Sequence, residues 1–170
     1  MSSRGKKLFI FFTIVVPFLI YSIIYYAPII RNAPFKAAEF VSLTYKWGVG
    51  EHLDNTYNSA TGEYRYLDRN DSLVVKQVKL TADDIQALDK VAHIQGFWNL
   101  PAYVANNEEV RSPRVLRYEI TFHYKRKSKN VTYVADFKGS RKMKDAFVQV
   151  QKSIEQVLVD AEQQQERTAH

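Results

Sequence analysis

The chain has 170 residues, 46% hydrophobic and 25% charged, a balance that excludes wholesale disorder and allows one ordinary domain with an appendage. With no cysteine, disulfide frameworks, thiolate metal sites, cysteine nucleophiles and cysteine-linked lipid anchors are all excluded. The formal charge of +6 is concentrated at the start: residues 1–35 hold four basic side chains (Arg4, Lys6, Lys7, Arg31) and no acidic one, leaving +2 for 36–170, so no nucleic-acid partner is expected.

Residues 8–30 (LFIFFTIVVPFLIYSIIYYAPII) form a run of 23 without a charge. As a helix rising 1.5 Å per residue it would measure roughly 35 Å, enough to cross a hydrocarbon layer of about 30 Å. Pro17 kinks such a helix without breaking it, and Tyr21, Tyr25 and Tyr26 suit the far interface. The run exceeds the roughly 7–15 apolar residues of a cleaved signal, and no small-x-small site follows it, because Pro34 succeeds Ala33 and Arg31 precedes it. A retained anchor is expected, and the three basic residues before it favour a cytoplasmic N-terminus. The predicted divisions are a cytoplasmic stub and transmembrane helix over 1–31, an extracytoplasmic domain over 32–165 and a polar tail over 166–170.

A short tether (31–38) leads into alternation over 39–47, where Val41, Leu43, Tyr45 and Trp47 face away from Ser42, Thr44 and Lys46, the pattern of a half-buried strand. Gly48-Val49-Gly50 breaks it. Residues 54–69 predict a hairpin turning at Thr61-Gly62-Glu63, and 70–71 a second turn before a strand over 72–80. Thr81 is a helix N-cap with Asp84 three residues on; Ile85, Leu88, Val91 and Ala92 line one face, and Gly96 ends the helix. Phe97-Trp98-Asn99-Leu100-Pro101 then folds two aromatics back onto the sheet. A polar loop over 102–113 contains Asn106, Asn107, Glu108, Glu109 and Pro113. Alternation resumes at Leu116, Tyr118, Ile120, Phe122 and Tyr124, turns at Lys127-Ser128-Lys129-Asn130, and returns over 131–137. After Ser140, the apolar seam Met143, Phe147, Val150, Ile154, Val157 and Ala161 predicts a long helix, lying on its own sheet or pairing with another chain, that frays from Gln163. Strands joined by hairpins imply antiparallel pairing. The expected fold is therefore α+β: an N-terminal transmembrane helix, then an antiparallel sheet of about six strands covered by two helices.

No catalytic arrangement stands out. None of His52, His93, His123 and His170 has metal-ligand spacing, and residues 68–72 lack a calcium loop's pattern and read as a turn. Two basic clusters remain: Lys125, Arg126, Lys127 and Lys129 at a hairpin tip, and Lys138, Arg141, Lys142 and Lys144 at the last helix's start. They sit at opposite ends of one strand pair, so they do not merge. The stretch from strand through glycine break, hairpin and strand to LTADDIQALDKVAHIQGFWNLP resembles uncharacterised bacterial envelope domains over about a third of the chain. That resemblance implies an extracytoplasmic α+β module and brings no site residues. The expectation is a non-enzymatic, single-pass, membrane-anchored envelope protein without cofactor or metal. Its partners would be the bilayer, through residues 8–30, and another protein, met by Trp47, Phe97, Trp98, Lys125, Arg126, Lys127 or Lys129. The alternatives are an accessory subunit of a larger membrane complex or an enzyme whose site has no recognisable motif.

Overall fold

Alternation builds the centre of the sheet. In β1 (Phe40–Val49) Leu43 and Tyr45 are wholly buried while Ser42, Thr44 and Lys46 face the other side. β1 pairs antiparallel with β6 (Leu116–Tyr124), setting Leu43 opposite Phe122, Tyr45 opposite Ile120 and Trp47 opposite Tyr118. The computed structural model describes residues 3–32, 35–106 and 114–168, with side chains in the first stretch described for 11–27. Asn107, Glu108, Glu109 and Pro113 of the expected loop lie outside the described residues, as do His170, Ala33 and Pro34.

The chain divides into two units, 1–34 and 35–170. The first carries helix α1 (Ser3–Asn32). Among the described residues no helix is long and apolar enough to cross a membrane. The described side chains of α1 fall short of the ~20 apolar residues a crossing needs, and the outer parts of the expected 8–30 span lie beyond them.

The second unit is α+β. Its described residues form a seven-stranded sheet in the order β4-β3-β2-β1-β6-β7-β5, where β2 is Asn55–Asn58, β3 Glu63–Leu67, β4 Leu73–Gln77, β5 Tyr103–Val104 and β7 Ser128–Val134. Seven strands replace the expected six because Tyr103 and Val104, inside the expected polar loop, add a short parallel edge to β7, with the Thr132 N–H donating to the Ala102 carbonyl at 2.8 Å. The β6–β7 turn is tighter than expected. The Tyr124 N–H donates to the Lys127 carbonyl at 2.9 Å, so Ser128, Lys129 and Asn130 are already strand, opposite His123, Phe122 and Thr121. β7 accordingly leaves the sheet at Val134 and not at Phe137. β1 also runs past the expected break: Gly48 belongs to the strand, and the turn comes at Gly50, whose φ is 68°.

Helix α2 (Ala82–Gln95) starts on the expected capping box, with Thr81 and Asp84 bonding reciprocally, and ends at Gly96 in the left-handed conformation. Helix α3 (Arg141–Thr168) packs on its own sheet through Ala146, Phe147, Val150, Ile154, Leu158 and Ala161. Met143 and Val157 of the expected seam flank this stripe half-buried. The helix does not stop at Gln163. Lys76 of β4 pairs with Glu162 and lies 3.9 Å from Glu166, and the Gln165 amide donates to the Lys79 carbonyl at 3.2 Å. These polar contacts hold the last turns where apolar ones run out.

Candidate functional site

α2 lies over the Phe40/Tyr124 end of the central strand pair. There the Tyr124 hydroxyl donates to buried Asp89 of α2 at 2.5 Å, and Phe35 stacks on Trp98 with ring centres 4.3 Å apart. The opposite end, where Trp47 faces Tyr118, is not covered in this way. It opens as a cleft of about 670 Å³ between α3, the ends of β1 and β6, and the 50–54 turn, lined by Trp47, His52, Asp54, Asn55, Tyr118 and Glu155 among others. That volume falls within the range of small-ligand sites.

An aromatic row runs along the sheet here, and two of its rings, Trp47 and Tyr118, line the cleft. Tyr66 contacts Tyr64 (5.0 Å between ring centres), Tyr64 contacts Trp47 (6.0 Å), and Trp47 stacks on Tyr45 (4.7 Å), which lies parallel to Tyr118 (6.5 Å). Strand alternation places these rings on the helix-bearing face, but α3 covers only Tyr45 completely; Trp47, Tyr64 and Tyr118 stay half-buried. Glu155 of α3 forms the wall. Its Oε1 accepts the Tyr45 hydroxyl at 2.7 Å and the Gln151 amide at 3.1 Å. The opposite wall is fixed by Asn55, whose amide donates to the Trp47 carbonyl at 3.0 Å and whose Oδ1 accepts the Leu67 N–H at 2.9 Å. Gly48 sets the height of the turn, since a Cβ there would meet the His52 carbonyl oxygen at 1.9 Å.

Tyr45, Tyr64 and Tyr118 keep their phenol protons at ordinary pH. Burial, the hydrogen bond to Glu155 and its charge all push the Tyr45 phenol far up. Burial raises Tyr118, and burial with the neighbouring Tyr66, Glu162 and Glu155 raises Tyr64 to about 12. None is a phenolate base. Among the described residues no three His, Asp or Glu side chains gather as metal ligands.

The residues singled out from sequence fall in different places. Trp47 lines the cleft. Phe97 and Trp98 are 0% and 2% exposed and belong to the core at the other end. The β6–β7 turn carries the basic cluster, at that same other end. Arg126 pairs with Glu39 at 2.7 Å, Lys127 lies over the Phe35 ring at 5.6 Å, and the Lys129 ammonium bonds the Leu100 carbonyl; Lys125 is exposed. These lysines and the arginine tie the turn to neighbouring backbone and rings, and the fold does not bring them to Trp47. Sequence reasoning missed Asp54, Asn55, Tyr118 and Glu155 as a group. The one local signal was the glycine pair at 48 and 50, which marks a close backbone approach beside His52. No known protein family matches this chain, and no curated protein does.

Proposed function

We propose that this is a single-pass membrane protein, N-terminus in the cytoplasm, whose extracytoplasmic α+β domain binds another protein at the open aromatic end of its sheet without catalysing a reaction. The observation that carries the anchor is the composition of one continuous helix. α1 has 30 residues, roughly 45 Å at 1.5 Å each, and its uncharged run over 8–30 follows Arg4, Lys6 and Lys7. Most of its described side chains are apolar and exposed, as with Phe18 at 67% and Ile24 at 68%. A helix apolar all round requires lipid or protein around it.

The binding reading is supported by the row of half-buried aromatics, since Trp and Tyr combine large apolar area with a polar handle and are enriched at protein interfaces. The neutral phenols suit recognition better than acid–base work. Extraction of membranes from expressing cells with alkaline carbonate tests the anchor. The protein is expected to stay in the pellet, and a protease added to opened outer envelopes is expected to remove a C-terminal tag that it spares in intact cells. Release into the aqueous fraction, or a tag shielded until the cytoplasm is opened, overturns this reading.

A further inference from the structure

We infer that the cleft beside α3 receives a guanidinium group, the side chain of an arginine on the bound partner. This rests on the protein-binding reading above and narrows it to one recognition chemistry. Charge is the first argument. The chain carries 24 lysines and arginines and a net +6, yet none of them lines the cleft, whereas two carboxylates, Asp54 and Glu155, do. With two carboxylates and no lysine or arginine in its lining, this is an acidic recess.

The second argument is unspent hydrogen-bonding capacity. Asp54 has no hydrogen-bond or ion-pair partner among the described residues. Glu155 receives Tyr45 and Gln151 on the same oxygen, Oε1, which leaves Oε2 without a partner among the described residues. Both carboxylates are exposed to water, and a donor-rich guest can replace that water. The third argument is shape. Trp47 and Tyr118 line the same cleft as the two carboxylates, and both rings are half-buried. A guanidinium is planar, weakly hydrated and carries five N–H donors, so it can stack on a ring and fork to a carboxylate at once. A lysine ammonium is strongly hydrated and has no plane to stack. A quaternary ammonium stacks and attracts the carboxylates by charge, but it offers them no hydrogen-bond donor. Finally, the walls are already held: Asn55 pins the Trp47 backbone, and the Tyr45 hydroxyl orients Glu155, so little ordering remains for binding to supply.

The test uses the full-length chain in neutral maltoside micelles, ¹⁵N-labelled, with its two indole N–H signals read during titration and assigned from a Trp47→Phe sample. The probe is acetyl-Gly-Arg-Gly-amide, compared with its citrulline counterpart, which keeps the shape and loses the charge, and with phosphocholine. The arginine peptide is expected to shift the Trp47 signal saturably and leave that of Trp98 in place. Half-saturation should rise about tenfold with citrulline. Asp54→Asn, an exposed substitution, should raise it about threefold or more. The inference is overturned by an unmoved Trp47 signal, by citrulline binding as well as arginine, or by phosphocholine binding as tightly, which would point to a lipid headgroup. Copurification of a membrane partner at fixed stoichiometry, undisturbed by Asp54→Asn with Glu155→Gln, removes this inference and keeps the protein-binding reading. Arginine binding by a chain that carbonate releases from membranes keeps the inference and removes the anchor.

Discussion

The two ends of the β1–β6 pair both carry facing aromatics and meet opposite fates. Each presents aromatics on the helix side: Phe40 and Tyr124 at one end, Trp47 and Tyr118 at the other. Where α2, Phe35 and Trp98 land, Tyr124 is 4% exposed and its hydroxyl is spent on Asp89. Where α3 covers Tyr45 but not its neighbours, Trp47 and Tyr118 stay half-buried and the nearby carboxylates are exposed. The comparison teaches that an alternating strand specifies a surface able to be buried. Which part becomes core is decided by where the helices cross it.

The sharpest way to break this contrast is truncation. Phe147→Ala removes a wholly buried ring stacked on Tyr133 and should cost about 3–5 kcal/mol in denaturant unfolding. Trp47→Ala should cost clearly less, about 1–2 kcal/mol, because the ring is already partly in water. Equal losses would mean that Trp47 is core and that the cleft is closed in solution.

Alkaline titration asks whether the two ends share a single stability. Tyr45 and Tyr124 have folded pKa values raised well above the free value of 10.0, chiefly by burial, with hydrogen bonds to Glu155 and Asp89 adding to it. Below pH 10 both states hold these protons. Above it the unfolded chain releases them first, so stability falls, by about 1.4 kcal/mol per phenol for each pH unit. Unfolding monitored by circular dichroism should therefore show a flat plateau up to about pH 10 and a steep decline beyond it, with phenolate absorbance from these residues appearing only as the fold is lost.

The carboxylates give a smaller contrast. Asp89→Ala strands a buried Tyr124 hydroxyl and should cost about 1–3 kcal/mol, whereas Asp54→Ala at the open end should stay within about 0.5 kcal/mol. Smallest is Lys76→Met. The ion pairs to Glu162 and Glu166 are partly exposed, so the loss should remain under about 1 kcal/mol and vanish in high salt.

Much of the fold was legible because local chemistry specified it. Thr81 with Asp84, and Gly96, mark both ends of α2; four of the six seam positions of α3 (Phe147, Val150, Ile154 and Ala161) are buried; and the alternation over 116–124 gives β6 directly. The elements that escaped depend on distant partners. β5 is two residues that are strand only because β7 offers them an edge, and the last turns of α3 are held by Lys76, 86 residues away from Glu162. The cleft is less legible still. Glu155 meets Tyr45 across 110 positions, and nothing near Glu155 distinguishes it from any other solvated helix carboxylate. Trp47 could be named from its own strand; the company it keeps could not.

The approach of the His52 carbonyl to Gly48 has a consequence for how this recess can vary. Only a hydrogen fits at that point, so the segment carrying His52 and Asp54 rests on the strand as a lid hinge rests on its plate. Even an alanine there would lift the whole acidic lip off its seat, changing the recess without touching any side chain that lines it. The shape of the recess is thus set by a position that lines it with backbone alone.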